Sequence, residues 1–227
     1  MYSLDDTIVA ISTPSGQGGI GIVRLSGPQA ISIAIRHFSL RDRRGWTPEP
    51  RRLYYGRIVR PDNRTTIDQV LLATMPAPHS YTCQDVAEIN AHGGMIPLRE
   101  ILRLCLQQGA RLAEPGEFTL RAFLNGRIDL AQAEAVLDVI QAQTQTSLHI
   151  AQQQLEGRLS AEVRQIHRRL LHVLAYFQAR VDFPEDDVPE RDVQPELVQA
   201  AVQLAALLNQ ANVGMIYRQG VRTTIVG

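Results

Sequence analysis

The spacing of apolar residues changes about halfway along the chain, and this change constrains the fold more than any other feature. Up to about residue 118, short β-branched or alternating stretches are separated by turns rich in glycine and proline. Beyond that point apolar residues recur every three or four positions, as in Leu130, Ala133, Leu137 and Ile140. Period-two spacing is typical of strands and period-3.6 spacing of helices. The sequence therefore predicts a mixed domain followed by a helical one.

The first half contains five stretches with the composition of strands and two with the spacing of helices. β-Branched and alternating residues predict strands at 7–12, 19–25, 53–59, 67–75 and 85–91. Apolar residues three and four positions apart predict helices at 28–38 and 93–108. Strands and helices mixed in this way indicate an α+β or α/β domain that ends near Phe118.

The second half predicts three amphipathic helices. The first follows Asp129, a candidate N-cap, and the others cover apolar residues spaced over 155–177 and 197–208. Residues 182–195 contain six acids and three prolines, which predicts an exposed loop, with a metal or basic-partner site as the alternative. Three helices alone leave their apolar stripes uncovered. We therefore expect a partner chain, another domain or a further C-terminal portion to cover them.

Composition excludes several classes of function. All 23 basic residues are arginine, so a Schiff-base lysine and the phosphate-binding lysine of a P-loop are excluded within this chain. The net charge of zero argues against a uniformly basic nucleic-acid-binding protein. Two cysteines, Cys83 and Cys105, do not form a disulfide framework or a metal motif by spacing. With no visible signal peptide and no apolar run near the ~20 residues of a membrane span, we expect a cytoplasmic protein without membrane contact.

A glycine-rich segment precedes an arginine inside an apolar strand. Gly16, Gly18 and Gly21 have the spacing of a dinucleotide-binding loop, but they lead into a β-branched strand instead of a helix. A hairpin-like turn with positive φ is favoured, and nucleotide binding is the alternative. Arg24 lies in the strand that follows. Its guanidinium must face solvent, a carboxylate or an anionic ligand.

The segment at 80–94 carries two candidate site residues. Glu88 lies in the middle of a predicted strand, where its carboxylate could accept two N–H donors from a heterocycle or form a surface salt bridge. His92, at the strand-to-helix junction, is favoured as structural over catalytic.

A sharp corner separates two predicted helices. A short helix is expected to begin near Glu117 and to stop at Asn125-Gly126. Arg127 lies in the exposed corner that follows, with Arg121 and Asn125 on a nearby face. A corner at a domain junction is a common ligand position, and capping of the helix end is the alternative.

These segments resemble the N-terminal region of the MnmE/TrmE family, the tRNA modification GTPases. The similarity in order and spacing is carried by TIVAISTPSGQGGIGIVRLSG, SYTCQDVAEINAHGG and EPGEFTLRAFLNGRIDLAQAEAV. Val181-Asp182-Phe183-Pro184, followed by acids, is also similar to a family motif. The resemblance extends from about Thr7 to Gly227.

The resemblance implies a mixed-sheet α+β domain akin to the glycine-cleavage T-protein fold, which binds tetrahydrofolate and forms the homodimer, at 1–118. It implies the first part of an α-helical bundle at 119–218 and the first strand of a truncated G domain at 219–227. Gly227 would be the first glycine of the phosphate loop. By the same resemblance, 5-formyltetrahydrofolate binds near the dimer interface.

The resemblance also implies a reaction. With an FAD-dependent partner of the MnmG/GidA type, the family installs an aminomethyl-type group at carbon 5 of the wobble uridine in certain tRNAs. A methylene-tetrahydrofolate is the implied one-carbon source, and GTP hydrolysis that depends on K⁺ and Mg²⁺ drives the conformational cycle.

Position by position, the family's folate contacts fall on Arg24, Glu88 and Arg127. Glu88 suits the amino and N–H edge of the pterin, and Arg24 or Arg127 suits the carboxylates of the glutamate tail. One departure is Cys83-Gln84-Asp85, where Gly-Glu-Asp or Arg-Glu-Asp is more usual, so a carboxylate is missing beside the expected pocket.

The second departure is the missing G domain. Neither a P-loop nor the family's C-terminal cysteine motif is present in these 227 residues, so we expect no GTP hydrolysis by this chain, and we expect Thr223–Val226 to be loose or an exposed edge. A standalone, non-catalytic folate-binding or interaction module is the main alternative, and an independent one-carbon folate enzyme is another.

Overall fold

A computed structural model describes residues 4–40, 47–183, 188–219 and 224. The chain folds as two compact units, Met1–Ile128 and Asp129–Gly227. The division expected after Phe118 therefore falls inside a helix of the first unit, Glu117–Leu124, whose buried charged residues tie it to that unit. Gly227 and most of the expected G-domain strand at 219–227 lie outside the described residues.

The first unit contains seven strands and three helices within the described residues. In chain order they are β1 (Ile8–Ile11), β2 (Gly21–Ser26), α1 (Ala30–Arg36), β3 (Phe38–Ser39), β4 (Leu53–Val59), β5 (Thr66–Met75), β6 (Val86–Ala91), α2 (Met95–Gln107), β7 (Arg111–Leu112) and α3 (Glu117–Leu124). The five strands and two helices expected from apolar spacing are confirmed to within a few residues. Strands β3 and β7 have two residues each, too few to produce a periodic pattern.

All seven strands form one mixed sheet, in the order β3-β4-β5-β6-β2-β1-β7. Every pairing is antiparallel except that of β1 with β7, which is parallel. Helices α1 and α2 pack on one face of this sheet. This arrangement confirms the α+β class.

The hydrophobic core lies between that face and the two helices. Strand residues such as Leu25, Leu72 and Ile89 are at most 1% exposed, and Ile33 of α1 and Ile101 of α2 pack in the same cluster. Burying each of these side chains contributes about 1.5–3 kcal/mol. Helices α1 and α2 therefore cover this face of the sheet and leave the opposite face free of them.

The opposite face carries a row of directly paired residues that runs across five strands. Leu53, Ala73, Glu88, Arg24 and Ala10 are consecutive cross-strand partners on β4, β5, β6, β2 and β1. Paired residues in antiparallel strands point to the same face. Two of the expected site residues are therefore neighbours at the centre of the sheet.

The glycine-rich segment is a turn between antiparallel strands β1 and β2, as the favoured interpretation predicted. Gly16 has φ +148°, a conformation that suits glycine. The turn packs tightly on the junction between β6 and α2. A Cβ atom on Gly93 would come within 2.4 Å of the Gly18 carbonyl oxygen.

The second unit contains four helices within the described residues, where the apolar spacing predicted three. They are α4 (Leu130–Gln141), α5 (Gln145–Leu155), α6 (Arg158–Asp182) and α7 (Gln194–Gln219). The missed helix is α5, which begins with a capping box between Thr144 and Ser147. Serine at the fourth position is not the Glu or Gln that usually marks this motif. Leu155, expected within the next helix, ends α5, and Gly157 with φ +84° separates it from α6.

The N-cap predicted at Asp129 is confirmed. Its carboxylate accepts a hydrogen bond from the Gln132 N–H, and the Gln132 side chain accepts one from the Asp129 N–H. Burial opposes ionisation of Asp129, but hydrogen bonds from Ser160 and Gln132 and the charge of Arg164 outweigh it, so the pKa of Asp129 lies below its usual value.

The expected uncovered stripes are present on the helices of the second unit. Ile140, Phe177 and Leu208 are between 47% and 75% exposed, whereas Ile166 and Val173, from the stripe predicted on α6, are buried. The described part of the expected acidic loop, 188–193, has no regular structure, and residues 184–187 lie outside the described residues. No helix in the described part of the chain combines the length and apolar character that crossing a membrane requires.

Candidate functional site

Arg24 and Glu88 form an ion pair on the face of the sheet that α1 and α2 leave free. The Arg24 Nε donates to the Glu88 Oε1 over 2.8 Å, and the two side chains are 29% and 21% exposed. Of the three surroundings that the sequence allowed for Arg24, the carboxylate is the one found. The same contact gives Glu88 the salt bridge that the sequence allowed as its alternative.

Helix α3 lies beside this pair. The Arg24 guanidinium carbon is 5.7 Å from the centroid of the Phe118 ring, within the range of a cation–π contact. Arg24 is thus held between a carboxylate and an aromatic face. Its charge is compensated before any ligand arrives.

Arg127 lies just beyond the C-terminal end of α3. Its Nη1 donates to the Ser80 carbonyl oxygen over 3.3 Å, and its guanidinium carbon is 5.0 Å from the centroid of the Tyr81 ring. Its backbone N–H donates to the Ala122 carbonyl oxygen, so the backbone closes the helix end while the side chain extends elsewhere. Within the part of the chain that the structure describes, no carboxylate forms an ion pair with Arg127.

The three expected site residues lie along one run of contacts through α3. Phe118 contacts Arg24, and the hydroxyl of the next residue, Thr119, is hydrogen-bonded to the Tyr81 hydroxyl at 3.0 Å. Tyr81 in turn contacts Arg127. Glu88 and Arg127 therefore lie at the two ends of a continuous border made of charged and aromatic side chains.

The loop at 80–84 completes this border. The Asn125 Nδ2 donates to the Thr82 carbonyl oxygen over 2.6 Å, which joins the loop to the end of α3. Cys83 has φ +58°, a left-handed conformation that is rare for a residue with a side chain. It is partly exposed, whereas Cys105 is buried in the core, where burial raises the pKa of its thiol to about 12.

Arg121 is buried, although the sequence suggested an exposed face near Arg127. Arg121 and Glu117, one turn apart on α3, are 1% and 2% exposed. They form a four-residue cluster with Asp6 and Arg111, which we call the charge cluster. Arg121 is 3.1 Å from Glu117 and also pairs with Asp6, and Arg111 pairs with Glu117 at 2.5 Å and with Asp6 at 2.6 Å.

The cluster keeps its carboxylates ionised. Burial opposes ionisation of both groups, but hydrogen bonds and charges from Arg111 and Arg121 outweigh it, so the pKa values of Asp6 and Glu117 lie below their usual values. A backbone N–H at Glu114 also donates to Glu117. The signal available in the sequence was the opposite charge of residues 117 and 121 at i, i+4 spacing, which exposed helices also show.

Gln84 faces the charge cluster. Its Oε1 accepts from the Ser26 hydroxyl and from the Arg121 Nη1, each at 3.1 Å, and its Nε2 donates to the Leu4 carbonyl oxygen over 2.8 Å. The carboxylate that the resemblance placed at this position would therefore lie behind α3, next to Arg121.

His92 is hydrogen-bonded to Asp68 of β5. Its Nδ1 lies 2.7 Å from the Asp68 Oδ1, and its backbone N–H donates to the other oxygen of that carboxylate. Within the described ranges, no three side chains of His, Cys, Asp or Glu are grouped as metal ligands.

Comparison with known protein families matches almost the whole chain. Residues 7–127 match the family model described as the N-terminus of the GTP-binding protein TrmE. Residues 130–223 match the model described as the MnmE helical domain. The gap between the two matches lies where the structure divides into its two units.

Curated relatives are similar over the same length. The chain is 52% identical over 224 residues to a tRNA modification GTPase MnmE from Chloroflexus aurantiacus, covering 99% of this chain and 49% of the relative. It is 46% identical to the protein of that name from Desulforamulus reducens, covering 99% of this chain and 50% of the relative. For a Roseiflexus protein of the same name, identity is 50%, with 98% and 48% covered. The chain thus spans about half the length of these relatives.

Proposed function

The chain belongs to the MnmE family of tRNA modification GTPases, and we propose that it forms the folate-binding and dimerisation part of such an enzyme. The observation that carries the proposal is the border from Glu88 through Phe118 and Tyr81 to Arg127. It offers a carboxylate at one end, a guanidinium at the other and aromatic rings between them. A reduced folate has a matching order of groups, with N–H donors on the pterin, a central ring and carboxylates on the glutamate tail.

The charges along the border support a division of roles between the two arginines. Glu88 accepts from the pterin amino and N–H edge, while Arg24 holds the Glu88 carboxylate in place. Arg24 is already compensated by Glu88, so a second carboxylate gains little from it. Arg127 contacts a carbonyl oxygen and an aromatic ring, neither of which carries a negative charge. It therefore binds the carboxylates of the glutamate tail.

In the proposed reaction the bound methylene-tetrahydrofolate supplies the one-carbon unit. The residues of this chain bind and orient the folate along the border described above. An FAD-dependent partner of the MnmG/GidA type joins the enzyme, and together they install an aminomethyl-type group at carbon 5 of the wobble uridine of tRNA. The reaction takes place in the cytoplasm.

GTP hydrolysis, with K⁺ and Mg²⁺, belongs to the G domain of the complete enzyme. The relatives are about twice as long as this chain, and the chain contains no lysine that could act in a P-loop. We infer that these 227 residues alone do not hydrolyse GTP. The exposed apolar side chains of α4, α6 and α7 offer a surface to a further portion of the complete enzyme, another domain or a partner chain.

The free face of the sheet also supports homodimerisation through the first unit. Leu53 and Tyr55 of β4 and Leu71 of β5 share that face and are 59%, 65% and 38% exposed. Apolar side chains grouped in this way are typical of protein–protein interfaces. The surface adjoins the row that contains Glu88 and Arg24, so the second copy lies close to the folate.

Calorimetry with 5-formyltetrahydrofolate at millimolar concentration tests the folate site. We expect heat of binding for the wild-type chain and an affinity about 10- to 100-fold lower for Arg127→Ala, because a hydrogen bond to a charged group contributes about 1.5–3 kcal/mol. Glu88→Gln should also weaken binding.

Arg103→Ala is the matched control, since Arg103 is an exposed arginine on α2, which packs on the other face of the sheet. Equal affinities for the wild type and both site variants would contradict the assignment of the site. No heat at all would contradict folate binding.

A further inference from the structure

Helix α3 separates the candidate folate site from the charge cluster. Glu117 and Arg121 lie on its buried side, within the cluster. Phe118 and Thr119 extend to the site border, where they contact Arg24 and Tyr81. The same two helical turns therefore carry both the buried charges and the residues that line the site.

We propose that the charge cluster sets the position of α3 against the sheet, which makes Glu117 and Arg121 positioning residues for the folate site. This inference rests on the proposed function. Both residues are buried behind the helix, so they act through Phe118 and Thr119 and, in the case of Arg121, through its contact with Gln84 in the loop at 80–84. A helix turn is rigid, and a shift at residue 117 or 121 moves the residues next to it in the chain.

The contacts of Arg121 hold α3 in one position relative to the segments around it. One guanidinium joins three separate segments, since Arg121 contacts Asp6 before β1, Gln84 in the loop at 80–84 and Glu117 on its own helix. Arg111, which lies on β7, adds a fourth segment because it pairs with the carboxylates of both Asp6 and Glu117. The planar guanidinium fixes direction as well as distance. Helix α3 is thereby tied to the sheet edge and to the site loop together.

The charge balance of the cluster explains the unusual residue at position 84. Two arginines and two carboxylates sum to zero, and Gln84 adds a donor and an acceptor without adding charge. A glutamate there could still accept from Arg121, but it could not donate to the Leu4 carbonyl oxygen. Gln84 is therefore part of the positioning cluster and is not a folate ligand.

The zero net charge of the charge cluster makes a rescue experiment possible. Glu117→Gln keeps the shape of the side chain but leaves the cluster with one excess positive charge. We expect the affinity for 5-formyltetrahydrofolate to fall about 10-fold or more at a temperature where the variant is folded, since a tenfold loss needs only about 1.4 kcal/mol. Adding Gln84→Glu restores neutrality and gives Arg121 a new carboxylate. We expect the double variant to regain part of the affinity, because α3 is again paired with the loop at 80–84.

The control is a variant that is destabilised elsewhere. Ile33→Val removes one buried methylene from α1, on the other face of the sheet, and should lower the melting temperature without changing the affinity. Should Glu117→Gln not fold, Asp6→Asn removes a more exposed carboxylate of the same cluster. Hydrogen exchange without ligand gives an independent measurement. Amides at 80–84 and 118–125 should lose protection in the cluster variants and keep it in Ile33→Val.

The outcomes separate this inference from the proposed function. Wild-type binding together with unchanged affinity and unchanged exchange in the cluster variants overturns the positioning role alone. The same holds if affinity falls in proportion to melting temperature in every variant, Ile33→Val included. If the wild-type chain binds no folate, the proposed function and the role of the cluster toward folate are overturned together.

Discussion

The two units of this chain bury their side chains in different ways. The first unit has one continuous core between a seven-stranded sheet and two helices, with a charge cluster buried beside it. In the second unit the buried apolar residues, among those described, are three alanines together with Ile166 and Val173. Specific contacts thus fix side-chain positions in the first unit, whereas the second presents long helices with half-exposed apolar stripes. A small-molecule site requires side chains that are held in fixed positions. Helices that pack against a partner require apolar side chains that are left exposed.

Breaking one ion pair in each unit should show the contrast most strongly. Arg121→Ala removes the buried partner of Glu117 and Asp6 and leaves both carboxylates with the half-exposed Arg111 alone, so we expect a loss of about 3–5 kcal/mol in the free energy of unfolding. Arg164→Ala removes an exposed partner of Asp129, 3.5 Å away, and should cost about 1 kcal/mol or less. Denaturant unfolding followed by circular dichroism measures both. Similar losses for the two variants would contradict the contrast.

Removing one apolar side chain from each unit is the next test. Ile89→Ala opens a cavity in a position that is 1% exposed, and we expect a loss of about 2–5 kcal/mol. Leu174→Ala acts on a side chain that is 53% exposed, and we expect a change within about 0.5 kcal/mol in this chain. If Leu174→Ala is as costly as Ile89→Ala, the stripe on α6 is already covered, for example by a second copy.

Acid should weaken the first unit progressively. The pKa values of Asp6 and Glu117 in the folded chain lie below the ordinary values of 3.8 and 4.5, so the unfolded chain binds more protons. Their stabilisation is complete above about pH 4.5 and is lost as the pH falls through the lower, folded values. Asp129 in the second unit is also shifted downward, but it is a single carboxylate. Hydrogen exchange between about pH 6 and pH 3 should show α3 losing protection before α4, and the opposite order would contradict the prediction.

The smallest effect is expected at Cys83. Its φ of +58° is one that glycine adopts without strain, so Cys83→Gly should stabilise the first unit by roughly 0.5–1 kcal/mol. Cys105→Gly, inside α2, should destabilise it by more than about 1 kcal/mol because it combines lost burial with lost helix propensity. Thermal unfolding of the two variants measures both effects. A lower melting temperature for Cys83→Gly would show that the cysteine side chain has a stabilising contact.

Sequence reasoning predicted the parts of the fold that produce periodic patterns. Strands β2 and β6 and helix α2 were predicted because burial on one face of each element leaves regular spacing, and Asp129 was predicted because an N-cap has a local signature. Helix α5 was missed because its cap pairs Thr144 with Ser147 and its apolar residues are few. Local patterns therefore identified most elements but not the number of helices in the second unit.

The sequence predicted which residues form the candidate site, but not the contacts that hold them in place. Arg24 and Glu88 were each singled out, yet their pairing depends on the register between β2 and β6, which no local pattern specifies. Arg121 was expected on a face near the exposed corner at Arg127, yet it is buried. Its burial depends on Asp6 and Gln84, which are distant in the chain. Long-range contacts of this kind become visible only when the segments are assembled.

The strained cysteine beside the site has a practical consequence. Cys83 is partly exposed on the loop that borders the site, whereas burial raises the pKa of the Cys105 thiol to about 12 and keeps it protonated and unreactive. The chain also lacks lysine, so its side chains offer no competing primary amines. A thiol-reactive fluorophore should therefore attach at Cys83 alone and report from the loop that Arg127 and Asn125 contact. The native chain therefore has one position at which a fluorophore can be attached to observe the candidate site in solution.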